Sequence, residues 1–297
     1  MKQCASTVCM VRPGHFGYNM QTASSNKFQV NTDTDMSLVM TEFDHMYHQL
    51  INAGIEVFVF DDKTDVITPD SIFLNNWFAM LHNQNAFIFP MMAENRRHEK
   101  RNDIIETLAK KHKTQTIEDW SRYEKSNEFL EGTGSMVLDH VNAIAYASLS
   151  ERTHEQLFLH FCSYINYKPV TFRTFIDQFP IYHTNVVMSV GEKFAVLGSQ
   201  SFLNASEERL VKHYLKVTDK ELIEITNNQV MQYCGNILQL QDKYGDKKIL
   251  LSAKAKNAFT PEQLEILEKH GELLVCNVDT IETIGGGSVR CMVAEVF

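Results

Sequence analysis

At 297 residues, with 44% apolar, 22% charged and 10% aromatic side chains and only 13 Gly and 6 Pro, the chain has a globular composition that excludes disorder, collagen-like repeats and low complexity. Length alone suggests two domains, at about 150 residues each. Lys plus Arg number 28 against 37 Asp plus Glu, and the net charge of -9 repels phosphate backbones and anionic lipid, so neither nucleic acid nor a membrane is expected as a partner.

No apolar run nears the roughly 18 residues that span a bilayer. The stretch Ala5 to Val11 is short, is broken by Arg12 and lacks signal-peptide form, so the expected location is cytoplasmic. Cys4, Cys9, Cys162, Cys234, Cys276 and Cys291 are scattered through a chain large enough to need no staples and read as reduced thiols, with Cys4 and Cys9 as packing.

Ala5 to Val11 reads as a strand. A helix follows, with Met36, Val39, Met40, Phe43, Met46, Tyr47, Leu50 and Ile51 on one face, until Gly54 stops it. His45 and His48 share this helix and are expected to be structural, not metal ligands. After a strand from Glu56 to Phe60, the segment Thr68 to Trp77 places Asp70 and the amides Asn75 and Asn76 at the entrance to a hairpin. That hairpin runs from Trp77 to Phe89 around His82-Asn83-Gln84-Asn85. The segment from Glu94 to His112 carries a helical pattern at Ile104 to Leu108, with Asn95 to Arg101 reading as a solvated charged helix start, and Thr114 to Ile117 is a strand.

The same order of helix, strand, loop and hairpin then recurs. Hairpins are marked from Met136 to Ala147, Val186 to Leu197 and Ile237 to Leu251; helices from Glu151 to Ile165, Ser206 to Leu215 and Pro261 to His270, where Thr260 caps and Gly271 terminates. Single strands follow at Pro169 to Phe175, Glu221 to Ile225 and Glu272 to Val278. The last strand, Cys291 to Phe297, lacks a partner unless Ala5 to Val11 supplies it. One landmark in each hairpin entrance falls at Asp70, Glu131, His183, Asn236 and Cys291, spaced by 61, 52, 53 and 55 residues. A period of this size predicts five α/β units in a ring, closed by the two terminal strands, with one residue from each unit aimed at a common centre. The units span about 5–60 with 290–297, 61–118, 119–175, 176–226 and 227–289, which replaces the two-domain prior by one domain.

Three landmarks carry chemistry. Cys291 ends Gly285-Gly286-Gly287-Ser288-Val289-Arg290-Cys291, where the glycines permit close backbone approach and Arg290 favours the thiolate. His183 has no metal-ligand spacing to another His or Cys, so no metal is expected. Glu131 lies in Leu130-Glu131-Gly132-Thr133-Gly134. A Cys, a His and a carboxylate on separate units form the constellation for nucleophilic catalysis, with Glu131 orienting the imidazole.

The chain resembles the guanidine-modifying (pentein, or amidinotransferase) superfamily, closest to its arginine deiminase-related, citrulline-utilisation branch. The resemblance rests on Pro69-Asp70-Ser71-Ile72-Phe73, Leu130-Glu131-Gly132, Ser150-Glu151-Arg152-Thr153, the His183 loop, Cys234-Gly235-Asn236 and the Gly-rich approach to Cys291, all in family order. Asn75-Asn76 and the opening Val11 to Asn19 point to the branch. It implies a five-bladed αβ-propeller (pentein) and covalent catalysis at a guanidinium carbon: Cys291 attacks, His183 protonates the leaving amine and Glu131 holds His183. Asp70 matches the family carboxylate for the substrate amino end. Arg97 and Arg152 fall at the substrate-carboxylate arginines, which implies a free amino acid substrate; Asn19, Asn75, Asn76, Asn185 and Asn236 complete the expected binding set.

Two positions depart from the deiminase pattern. Asn185 and Asn76 stand where deiminases carry carboxylates that grip the guanidinium, removing charge-assisted bonds worth roughly 1.5–3 kcal/mol each. A neutral ureido group loses little by this exchange, since an amide donates to its oxygen. The resemblance thus implies a hydrolase of arginine-like or citrulline-like amino acids, without a cofactor. An amidinotransferase and a non-catalytic ring, like the ribosome-binding anti-association factor of the same fold, are the alternatives, and a homo-oligomer is left open.

Overall fold

The computed structural model describes residues 1–63, 65–82 and 85–297. The strand Thr7–Arg12 is apolar almost throughout and buried on both faces, as a strand flanked by neighbours on both edges requires. It pairs parallel with Glu56–Asp61, Thr7 opposite Glu56, and antiparallel with Ala294–Val296, Thr7 opposite Val296. The two ends of the chain therefore meet in one sheet, as the unpaired last strand required. A parallel partner needs a crossover, and the helix Met36–Asn52 provides it. Asp35 caps its first turn by accepting the Ser37 N–H, and Val39, Phe43, Met46 and Leu50 form its buried stripe.

Four more three-stranded sheets repeat this plan, each an antiparallel pair extended by a parallel third strand. They comprise Phe78–Leu81, Asn85–Ile88 and Thr116–Asp119; Val137–Asp139, Ile144–Ser148 and Lys168–Phe172; Met188–Val190, Phe194–Leu197 and Glu221–Glu224; and Leu238–Gln241, Lys247–Ser252 and Glu272–Cys276. Each sheet is open, and each shares apolar packing with the one before it and the one after it. Cys9 and Val11 share an apolar cluster with Phe78 and Met80; Ala79 and Leu81 share one with Leu138 and Ala145; Tyr146, Met188, Ile249 and Leu251 belong to a third; and Leu238 and Leu240 share a fourth with Val8 and Met10.

Several expectations are corrected. Glu94 to His112 is not one helix: Glu94–Arg97 makes a single turn, and Asn102–His112 starts afresh. The break arises because Arg96 and Glu99, expected in solvent, are drawn inward and are only 2% and 3% exposed. The helix placed at Glu151 begins at Glu155, capped by the His154 side chain. Thr260 and Gln263 do form a reciprocal cap on Pro261–His270, but Gly271 is extended (φ 166°) and not left-handed. Its glycine is required by packing, since a Cβ would lie 2.9 Å from the Lys247 carbonyl oxygen. A two-stranded sheet, Phe175–Ile176 with Phe179–Pro180, was not anticipated. Residues 83 and 84 of the first hairpin turn lie outside the described residues. All six cysteines are buried and unpaired. Among the described residues no helix is long and apolar enough to cross a membrane, and no group of three or more His, Cys, Asp or Glu is arranged to hold a metal ion.

Candidate active site

Each of two landmark loops ends in a single helical turn preceded by a chemically active side chain: Glu131 before Gly132–Ser135, and His183 before Thr184–Val187. The turns are tied together, since Thr184 Oγ donates to the Ser135 carbonyl at 2.5 Å. Glycine makes the approach possible. A Cβ on Gly134 would sit 2.8 Å from His183 Nδ1 and 2.4 Å from Asn76 Nδ2, and one on Gly132 (φ +46°) would lie 2.3 Å from the Asn75 carbonyl oxygen.

His183 Nε2 and Glu131 Oε2 are 2.8 Å apart, and both side chains are buried. Burial by itself raises a carboxyl pKa, but Arg152 at 3.6 Å, the His183 bond and Arg96 at 3.9 Å outweigh it and hold Glu131 at about 2. Burial pushes His183 down to about 4 against the pull of Glu131. At neutral pH the pair is therefore an ionised carboxylate beside a neutral imidazole. Nε2–H donates to Glu131, which leaves Nδ1 as an acceptor.

Cys291 is buried, with Asn236 Nδ2 donating to its sulfur at 3.3 Å and Asn185 Nδ2 at 3.5 Å. Burial raises its thiol above the ordinary 9.0, and the amide contacts and Arg290 offset only part of this. The expected thiolate is thus corrected. Arg290 directs its guanidinium away, to Glu295 Oε2 at 3.0 Å and the Val293 carbonyl at 3.3 Å.

Asp70, Asn76, Arg96, Arg152, His183 and Cys291 line one narrow pocket together with Asn26, Phe73, Tyr182, Gly285 and Gly287. Asp70 Oδ2 accepts from Asn19 Nδ2 at 2.8 Å, while its buried Oδ1 has no partner among the described residues. Arg152 donates to the Thr22 carbonyl at 3.2 Å and to Ser25, and lies over the Tyr182 ring at 4.7 Å. Asn26 donates to the Gly285 carbonyl at 3.2 Å, so the segment 13–35, without regular structure, reaches over the cavity. Asn75 stands behind Asn76, accepting its amide at 3.0 Å and donating to Thr133 Oγ at 3.2 Å.

Arg97 is corrected. It bonds the carbonyls of Met91 and Met92 at 3.0 and 3.1 Å, beside Glu124, outside the cavity. The inward residue is its neighbour Arg96, because one helical turn sends successive side chains about 100° apart. Arg96 grips both oxygens of Glu99 at 2.9 Å and donates to Asn76 Oδ1 at 2.8 Å. Sequence reasoning missed Arg96, Tyr182 and the covering residues Thr22, Ser25 and Asn26. An Arg and a Glu three residues apart was the one available signal.

A family model described as N,N dimethylarginine dimethylhydrolase, eukaryotic, matches residues 12–297. No curated protein matches the sequence. Among solved structures, ArgZ, an arginine dihydrolase from the ornithine–ammonia cycle in cyanobacteria, is similar at a TM-score of 0.77 and 14% identity, over 98% of this chain and 40% of that one. This chain therefore spans well under half of full-length ArgZ. The N-terminal domain of ArgZ bound to substrate gives 0.77 and 14% over 98% and 97% of the two chains. A cysteine-to-serine variant of DDAH from Pseudomonas aeruginosa, complexed with citrulline, gives 0.66 and 13% over 98% and 99%. At such identities the shared feature is the α/β fold. The chain belongs to the eukaryotic N,N dimethylarginine dimethylhydrolase family.

Proposed function

We propose that the protein hydrolyses a C–N bond in the guanidino or ureido group of a free arginine-like or citrulline-like amino acid, with Cys291 as the covalent nucleophile. The observation that carries this reading is one cavity that holds the buried Cys291 thiol and the His183 imidazole, the latter backed by the ionised Glu131. The unpartnered Asp70 Oδ1 suits the α-ammonium group, and the Arg152 guanidinium suits the α-carboxylate.

The thiol proton passes to His183, and Cys291 Sγ bonds to the central carbon to give a tetrahedral adduct. His183 returns the proton to the leaving amine as its C–N bond breaks, leaving a thiouronium from a guanidino group or a thiocarbamate from a ureido group. Water then gives a proton to His183 and bonds to the carbon; the S–C bond breaks, a carbonyl forms and the thiol is regenerated. Asn76 and Asn185 stand beside the reacting group as neutral amides. Their neutrality supports tolerance of a ureido as well as a guanidinium group.

The shared packing of each sheet with two neighbours supports reading the fold as a five-bladed αβ-propeller. In that reading the landmark loops of one domain converge on the cavity.

Arginine, N,N-dimethylarginine and citrulline are the compounds to test, with ammonia, dimethylamine, citrulline and ornithine measured by mass spectrometry. Release of one of these products that stops in Cys291→Ala is the expected result. No turnover of any, or turnover that survives Cys291→Ala, overturns the reading, and formation of guanidinoacetate on adding glycine identifies a transferase instead.

A further inference from the structure

The approach to Cys291 is anchored by a carboxyl group that the chemistry above does not use. Glu282, on the helix Asp279–Gly285, is fully buried. Its Oε1 accepts from Ser288 Oγ at 2.5 Å. Ser288 in turn accepts the Cys291 backbone N–H on its carbonyl at 2.9 Å. The backbone of Glu282 holds the other end of the same loop: its carbonyl accepts from the Gly286 N–H at 3.0 Å and from Tyr233 OH at 2.9 Å. Between these points lie Gly285 and Gly287, which line the cavity. The helix is itself fixed from the first helix of the chain, where Glu42 accepts the N–H groups of Thr280 and Ile281 at 2.9 and 3.0 Å.

We propose that Glu282 is a positioning residue for the nucleophile: through Ser288 its carboxylate holds the loop from Gly285 to Cys291 in the conformation that presents the thiol to the cavity. This rests on the reading of Cys291 as nucleophile. The loop has three consecutive glycines and little intrinsic preference for one conformation. A buried charge-assisted bond at its centre supplies the order that its side chains do not.

The carboxyl is also placed to respond to pH. Burial raises it from the ordinary carboxylate range to about 7, against Ser288, Ser252 and Lys254. The Lys254 ammonium lies 3.8 Å from Oε2, which has no hydrogen-bond partner among the described residues. Asp279 on the same helix, and Tyr233 and Cys234 on the packed segment, face it as well. Protonation exchanges a charged acceptor for a neutral one and loosens the hold on Ser288.

The test compares wild type, Cys291→Ala, Ser288→Ala, Glu282→Ala and Glu282→Gln on whichever of arginine, N,N-dimethylarginine or citrulline is turned over. The expected result is a fall in kcat of about tenfold or more in Ser288→Ala and Glu282→Ala, with KM changed less than about threefold, because a displaced nucleophile affects the chemical step more than binding. Glu282→Gln keeps only a neutral acceptor for Ser288 and is expected to resemble the protonated wild type: kcat lies above that of Glu282→Ala, near the wild-type level on the acid side of the limb centred near pH 7, and that limb is lost. Wild-type kcat in both alanine variants, or an acid limb that persists in Glu282→Gln, overturns the proposal. If Glu282→Ala does not fold, Ser288→Ala and Glu282→Gln decide. Inactive wild type, or activity that survives Cys291→Ala, overturns the catalytic reading and this proposal with it; Cys291-dependent turnover indifferent to Glu282 and Ser288 overturns this proposal alone.

Discussion

His183 Nε2 meets Glu131 Oε2 at 2.8 Å in a place where both groups are shut off from water and two arginines flank the carboxylate. The contact fixes one imidazole tautomer and keeps Nδ1 available as a base. Glu131→Gln is expected to lower kcat by roughly 10²-fold or more, since the amide no longer enforces that tautomer. Steady-state kinetics beside an unchanged far-UV circular dichroism spectrum check this; wild-type kcat in the variant rules out the orienting role.

The same pair makes stability depend on pH. His183 is depressed from 6.5 to about 4, so the unfolded chain binds its proton first, and stability falls as pH drops from about 6.5 to 4. Glu131, depressed from 4.5 to about 2, extends the loss below pH 4.5. A shift of this size in His183 corresponds to about 3 kcal/mol. Thermal melts of wild type and His183→Gln between pH 7 and 4 are expected to converge on acidification, because the variant lacks this titration; parallel curves would contradict it.

Cys291 is a raised thiol before substrate arrives, with only neutral amides at its sulfur. Its labelling by iodoacetamide is expected to be slow at pH 7 and to climb above pH 9. An alkylating reagent bearing an amidinium group is expected to label faster at pH 7, because a cation in the cavity favours the thiolate. Peptide mapping by mass spectrometry reads both rates, and fast neutral labelling of the free protein would show a preformed thiolate.

Arg97 and Arg152, both expected from the sequence at the substrate carboxylate, are expected to differ in effect. Arg97→Ala leaves kcat/KM within about twofold, as befits a side chain bonded outside the cavity. Arg152→Ala raises KM for a free amino acid by about tenfold or more, a loss typical of one charge-assisted bond. Comparable effects of the two substitutions on KM would contradict the assignment.

Gly134 is the spacer between the imidazole and Asn76. Gly134→Ala places a methyl group 2.8 Å from His183 Nδ1 and 2.4 Å from Asn76 Nδ2, and is expected to cut kcat at least about tenfold. A crystal structure of the variant would show the imidazole displaced; an unmoved imidazole with full activity would show that the site tolerates the methyl.

Much of this molecule was readable from residue order. Apolar periodicity marked Met36–Asn52 and its buried stripe, and the last strand without a hairpin mate pointed to Thr7–Arg12, because an unpaired apolar strand has to satisfy its backbone groups somewhere. Landmarks at a steady spacing singled out Asp70, Glu131, His183 and Cys291, which line or adjoin one cavity. Repeat period is a local property of the chain, and it survives without knowledge of contacts.

What the sequence left undecided depended on contacts between distant segments. A run of charges such as Asn95 to Arg101 looks solvated until the fold supplies Asp70, Asn76 and Glu131 around Arg96, and which of two adjacent arginines turns inward follows from the single helical turn that carries them. The protonation of Cys291 likewise could not be read from the neighbouring Arg290, because burial dominates and the guanidinium faces Glu295. Composition and period determined which residue types recur and where; burial and direction decided their charge and their partners, since desolvation and close approach are properties of the folded packing alone.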